Sequence, residues 1–208
     1  MKRLLLVGTA ILLLLAAAAY VMRDTWLEAV AAGLVCQTDL APADAILVEN
    51  IEVDYLLFER AQQLEAQGLA PVVLVPIMTG REDGKPGRVQ AGFAEVMCEV
   101  ARLKECDYFA VREEEPITLN FARGVAEELR SRGFRSVVLV VSGFRSQRAF
   151  EVYQQVFTPM GIEIRCEPVF GPKRVDNWSD TLHGIQEVGL QLGKLWYYRL
   201  FVLLVVGS

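Results

Sequence analysis

From residue 42 onward, short apolar runs alternate with stretches in which apolar residues recur every third or fourth position. The runs at 45–48, 72–75, 108–111, 137–141 and around 162–169 are brief and often β-branched, as strands buried on both faces tend to be. Between them, Val53, Leu57, Ala61 and Leu64 keep helical spacing up to Gly68, a suitable left-handed residue after a helix. Val89, Phe93, Val96, Val100 and Leu103 predict a second helix, and Ala122, Val125, Ala126 and Leu129 a third that ends at Gly133. Ala149, Val152, Tyr153 and Val156 predict a fourth, stopped by Pro159 and Gly161, and a last helix starts near Ser179 and runs past Lys194. Strands alternating with helices predict a three-layer α/β domain with a mostly parallel sheet of about five strands. Residues 79–87, with Gly80, Gly84, Pro86 and Gly87 among charges, predict an exposed loop.

The two ends of the chain break this rhythm. Residues 4–22 carry no charge and follow Lys2 and Arg3; at about 1.5 Å per residue they just span a hydrocarbon core of roughly 30 Å. The competing reading is a cleaved signal peptide, for which Ala16 to Ala19 offer small residues. A retained anchor is favoured, because the stretch outruns the usual apolar region of a signal and continues through Tyr20, Val21 and Met22. The basic flank, set against Arg23 and Asp24 after the stretch, places the N-terminus inside. The expected organisation is an anchor at 1–24 in contact with membrane lipid, a linker at 25–41 and an α/β domain at 42–208. That domain would face the periplasm or cell exterior from the inner (cytoplasmic) membrane. At the other end, Leu195-Trp196-Tyr197-Tyr198-Arg199 leads into apolar residues 200–206, too few to cross a bilayer. They are expected to pack on the domain, the alternative being a headgroup-level position beside the anchor.

Composition narrows the function classes. The 208 residues are 53% apolar and 23% charged, enough for one folded domain and incompatible with general disorder. With 21 basic and 26 acidic residues the net charge is −5, which argues against nucleic acid as a partner. Cys36, Cys98, Cys106 and Cys166 form no C-x-x-C pair, and with a single histidine no metal or cofactor site is expected. Cys98 and Cys106, eight apart on one helical-looking stretch, are too distant for a bridge within a helix. All four thiols are therefore expected as ordinary buried small residues.

Ligands of open α/β sheets bind outside the carboxyl ends of strands, which singles out three loops. At residues 140–149 a buried strand gives way at Ser142-Gly143 to a helix carrying Arg145 and Arg148 three residues apart. Amides at a helix start attract anions, and a guanidinium grips phosphate through paired hydrogen bonds. In the second loop, Glu113 to Glu115 form a run expected to be solvated, followed by Thr118, an expected helix N-cap, and Asn120. In the third, Glu49 and Asn50 follow the first strand. His183 has no evident orienting partner and is expected to be structural or superficial.

Ala43-Asp44 entering the first strand, Thr118-Leu119-Asn120 opening a helix, and above all Val141 to Ala149, occur in a familiar order. Trp178 and the Glu187, Lys194, Tyr197-Tyr198 ending add to it. On these residues the chain, over roughly 42–198, resembles the ElyC/SanA/YdcF family of bacterial envelope proteins, particularly its membrane-anchored SanA-like members. The resemblance implies a Rossmann-like domain and a role in envelope biogenesis or barrier function, near peptidoglycan or surface polysaccharide. Asp44, Thr118, Ser142 and Arg148 match the family pattern. Val48-Glu49-Asn50 stands where the family commonly has a glycine-rich turn, Asn120 where it usually has an acid, and Arg145 where it often has a histidine. Neither an amide nor an arginine can replace a general acid or base near neutral pH, whereas an anion pocket survives both changes. Two readings follow. In one, an enzyme acts on a phosphate-bearing, nucleotide- or lipid-linked envelope precursor. Asp44 and Glu49 are its candidate catalytic carboxylates, and Thr118, Asn120, Ser142, Gly143, Arg145 and Arg148 hold the substrate. In the other, a protein of the same fold binds or scaffolds, with envelope-assembly proteins as partners, and does not turn over.

Overall fold

The structure, a computed structural model, describes residues 20–52, 54–79 and 88–206, with positions 8, 13, 17 and 18. Five strands, β1 (Ala45–Val48), β2 (Val73–Thr79), β3 (Cys106–Arg112), β4 (Ser136–Ser142) and β5 (Glu163–Val169), pair in parallel in the order β3-β2-β1-β4-β5. Around them run α1 (Arg23–Ala32), α2 (Tyr55–Ala66), α3 (Arg88–Ala101), α4 (Ile117–Ser131), α5 (Ser146–Phe157) and α6 (Leu182–Tyr197). A π-helical segment, Tyr198–Val206, continues α6.

The three-layer α/β expectation holds. Ile46, Val48, Val73, Val75, Val138 and Val140 point to α2 and α3, while Ala45, Leu47, Leu74, Leu139 and Val141 point to α4 and α5. Burial on both faces is why β1 and β4 read as unbroken apolar runs. Gly68 and Gly133 follow α2 and α4 with φ of 75° and 79°, as a left-handed residue after a helix requires. The chain passes from β1 to β2 on one side, and β4 lies on the other side of β1. The direction of winding therefore reverses between β1 and β4, opening a crevice at their carboxyl ends.

Four expectations need correction. Residues 25–41 are not a linker: α1 spans much of them, and its Ala31, with Leu34, packs on Phe144, Trp178, Val188 and Leu195. The stripe Val89, Phe93, Val96 and Val100 marks a helix but faces outward, because the small residues Ala94, Cys98 and Ala101 bring α3 close to the sheet. The thiols are paired, Cys36 with Cys166 and Cys98 with Cys106. Cys98 and Cys106 do not share a helix. Arg102 (φ 60°) ends α3, Leu103 N–H closes back on the Cys98 carbonyl at 3.1 Å, and the chain reverses into β3. Fourth, Thr118 does not cap α4, whose N-cap is Pro116.

The proposed anchor falls almost wholly outside the described residues, as does most of the loop at 79–87. Among the described residues no helix is long and apolar enough to cross a membrane. The tail divides: Tyr198 and Val202 pack into the α4–α5 core layer, whereas Tyr197, Leu200 and Phe201 are exposed.

Candidate functional site

The crevice at the ends of β1 and β4 holds a buried polar cluster. Glu49 leaves β1 with its N–H bonded to the Val140 carbonyl at 2.9 Å, which turns its side chain inward, where it is 2% exposed. β4 ends at Ser142, the chain makes one 3-10 turn over Gly143–Arg145, and α5 begins. That turn directs Arg145 back over β1: its Nε is 3.2 Å from Glu49 Oε2, and its Nη1 is 3.4 Å from Glu52 Oε1. Arg148, one helical turn further, donates from Nη1 to Thr118 Oγ1 (2.7 Å) and from Nη2 to Gln191 Oε1 (3.3 Å). Its guanidinium lies over the Tyr198 ring, 5.2 Å from the centroid, and Tyr198 Oη accepts from Thr118 N–H at 3.0 Å. Both arginines are only 5% exposed.

Burial dominates the electrostatics. It pushes the Glu49 carboxyl above the usual carboxylate range, against the opposing pull of Arg145 and Arg148. Burial also holds Arg148 below its ordinary value, with Glu49 pulling the other way and neighbouring Arg145 adding to the fall. Burial lowers Arg145 too, but the charges of Glu49 and Glu52 outweigh it and leave that guanidinium raised. Two cations thus face two carboxylates, of which only Glu52 reaches solvent. Five buried polar atoms around this point have no hydrogen-bond partner among the described residues: Glu49 Oε1, Asn50 Oδ1, Arg145 Nε, Arg148 Nε and Tyr153 Oη. Nε of Arg145 touches Glu49, yet its N–H is not aimed along that contact. Buried polar atoms are ordinarily satisfied, and these five are the larger part of the unsatisfied ones among the described residues.

The structure brings Glu49, Thr118, Arg145 and Arg148 together. It separates the rest. Asp44 sits at the opposite end of β1, where its Oδ2 accepts from the N–H groups of Arg135 (2.7 Å) and Ser136 (2.8 Å). These bonds hold its carboxyl below the usual range, the Arg135 bond contributing most. Asp44 is therefore a strand-start anchor and no partner of Glu49. Asn120 turns to the loop before α4, donating to the Glu115 carbonyl (2.9 Å) and accepting from Arg123 (3.2 Å). It lines a separate cavity of about 640 Å³ beside β3.

Gly143 is a packing position: a Cβ there would sit 2.3 Å from the Phe170 ring, which stacks edge-on against Phe144. Ser142 closes β4 opposite Val169. The start of α5 is already covered, since Gln147 N–H bonds the Leu34 carbonyl and Ser146 Oγ takes the Cys36 N–H, each at 3.0 Å. The amide cradle expected there is thus engaged by the segment that follows α1. Glu113, Glu114, Glu115 and His183 are exposed. Among the described residues, no group of three or more His, Cys, Asp or Glu is placed to hold a metal ion.

Glu52, Tyr153, Gln191 and Tyr198 complete the cluster; the sequence points to Tyr153 only as a helix core residue and to Tyr198 only as part of the chain's ending, and gives no sign of Glu52 or Gln191. Gln191 and Tyr198 carry no local signal, because only the docking of α6 brings them to Arg148. No protein-family model and no curated protein matches this chain.

Proposed function

We propose that the crevice between β1 and β4 binds an anionic, phosphate-bearing ligand of the cell envelope, with Arg145 and Arg148 as its cationic walls. The observation that carries this reading is the pair of buried guanidiniums at the switch point, each with an Nε donor left without a hydrogen-bond partner. Glu52 is the outermost member of the cluster, with a side chain 70% exposed and 3.4 Å from Arg145. An incoming phosphate takes its place on Nη1. Added negative charge beside Glu49 favours proton uptake by a carboxyl whose proton affinity burial has already raised. Binding is therefore coupled to protonation and tightens as pH falls. Thr118 and Gln191 hold Arg148 from the far side and set its orientation.

Binding without turnover is the favoured form, because Asp44 lies at the other end of the strand and Glu49 is enclosed against Arg145. The resemblance to the ElyC/SanA/YdcF family supports an envelope setting. The uncharged stretch at 4–22 and the two disulfides support a membrane-anchored domain in an oxidising space such as the periplasm.

The test is a thermal-shift and titration series on the full chain with inorganic phosphate, nucleotide sugars and polyprenyl-phosphate analogues. A ligand at 100 times its Kd stabilises by about 2.7 kcal/mol. The shift should be larger at pH 5.5 than at pH 8 and absent in Arg148→Ala. No shift with any phosphate at either pH, in a chain shown to be folded, removes the anion site.

A further inference from the structure

We infer that the outward face of α6 and its π-helical continuation is a membrane-docking surface that lies along the headgroup region of a bilayer. Leu182, Ile185, Leu190, Trp196, Phe201 and Leu204 are each 48–68% exposed, and Tyr197 and Leu200 fall in the same range. Spaced one to six residues apart over 182–204, these positions fall on one side of a helix that turns about 100° per residue, and they form one stripe about 35 Å long at about 1.5 Å per residue. Gly189 and Gly193 lie between them, and a Cβ at either would meet open space. His183 and Gln186 are the polar side chains on this face, which carries no Asp, Glu, Lys or Arg. The charges that border it are Glu187, bonded to Lys173 at 2.6 Å, Lys194, which is half-buried at its edge, and Arg199, which bonds Glu151 at 2.9 Å and lies over the Trp196 ring. An exposed apolar face of this extent on a folded domain marks an interaction site.

Two observations commit it to lipid. Trp196 and Tyr197, flanked by Lys194 and Arg199, have the amphipathic character of residues that settle at the bilayer–water boundary. The uncharged stretch at 4–22 ends one residue before α1, and α1 is packed on α6. Trp178 Nε1 donates to the Leu27 carbonyl at 3.3 Å, and Ala31 and Leu34 share a cluster with Val188 and Leu195. The helix that receives the apolar stretch and the helix that bears the apolar face are thus in direct contact, which keeps the face within reach of any bilayer that accepts the stretch.

The experiment places the full chain in vesicles of phosphatidylcholine and phosphatidylglycerol carrying bromines either near the headgroup (6,7-dibromo) or deep in the acyl chain (11,12-dibromo). Tryptophan quenching is compared between the parent and Trp196→Phe, an exposed substitution that leaves Trp26 and Trp178 in place. Headgroup-proximal bromines should quench the parent about twofold more than Trp196→Phe, and more than deep bromines do, as an interfacial tryptophan requires. Equal quenching of the two proteins overturns the inference, whether the chain is carried to the vesicle or stays in solution. So does a Trp196 emission that shifts with protein concentration in the absence of lipid and is untouched by either bromolipid, which would seat a second copy on the stripe.

Discussion

Asp44 and Glu49 bracket the same four-residue strand, and their surroundings could hardly differ more. The Asp44 carboxylate accepts two backbone N–H bonds while its own N–H donates to Ser136 Oγ, so its charge is satisfied where it stands. Glu49 is enclosed with one oxygen unpartnered and depends on Arg145 for compensation. Satisfied carboxylates at strand starts position backbone; enclosed, half-satisfied ones store free energy that a ligand or a proton can release. The enclosed, part-unsatisfied carboxylate thus lies at the carboxyl end of β1 and the satisfied one at its start.

The largest effect that sharpens the contrast comes from the Cys36–Cys166 bridge, which closes a 130-residue separation. Its reduction should cost about 3–5 kcal/mol. Cys36 N–H is bonded to Ser146 Oγ, so amide exchange should rise first at Cys36 and Gln147, near the Glu49 end, and last at Arg135 and Ser136 beside Asp44. Equal loss of protection at both ends would show that the bridge does not serve one end in particular.

Next in size is Arg145→Met. Removing one member of a buried pair leaves an uncompensated charge and costs about 3 kcal/mol or more at pH 8. The folded Glu49 carboxyl holds its proton more tightly than in the unfolded chain. Its contribution is therefore most favourable below the unfolded value and declines as pH rises through the folded one. The variant should recover stability towards pH 5 in urea unfolding, and adding Glu49→Gln should rescue much of the loss at pH 8. A penalty independent of pH would mean that Glu49 carries no buried charge.

Asp44→Asn should cost less, about 1–2 kcal/mol, through weakened hydrogen bonds. Its pH dependence has the opposite sign. A carboxyl whose folded pKa is lowered stabilises above its unfolded value and loses that contribution as pH falls through the folded one. The gap between parent and variant should therefore close in acid, with phosphate binding unchanged throughout. Weaker phosphate binding in this variant would return Asp44 to the site.

These differences explain what could be seen in the sequence. The strands and most helices were legible because burial on both faces leaves unbroken β-branched runs and because Gly68 and Gly133 punctuate helix ends. The apolar stripe of Val89, Phe93, Val96 and Val100 reveals α3 but not its buried face, because Ala94, Cys98 and Ala101 are too small to dominate the pattern. Glu49, Arg145 and Arg148 were legible as residues just past strand ends. Asp44 reads correctly from the sequence as the residue entering β1; only the resemblance drew it into the site, although ligands of such sheets bind at the carboxyl ends of strands. Gln191 and Tyr198 reach Arg148 from more than forty positions away, a relation that no local spacing encodes.

The smallest change in stability should come with an informative change in binding. Glu52 meets Arg145 at 3.4 Å through a side chain that is 70% exposed, and an exposed ion pair of this kind contributes about 0–1 kcal/mol. Glu52→Gln should therefore leave the urea midpoint almost where it was. The same substitution removes the carboxylate that an incoming phosphate must displace and lowers the negative charge at the crevice mouth. Phosphate affinity should rise several-fold, most clearly at low ionic strength, where screening is weakest. Glu49 stays enclosed in this variant, so the tightening of binding towards acid should persist. If Glu52→Gln abolishes that pH dependence, the proton is taken up at the mouth of the crevice, and the distinction between a satisfied and an enclosed carboxylate does not govern binding.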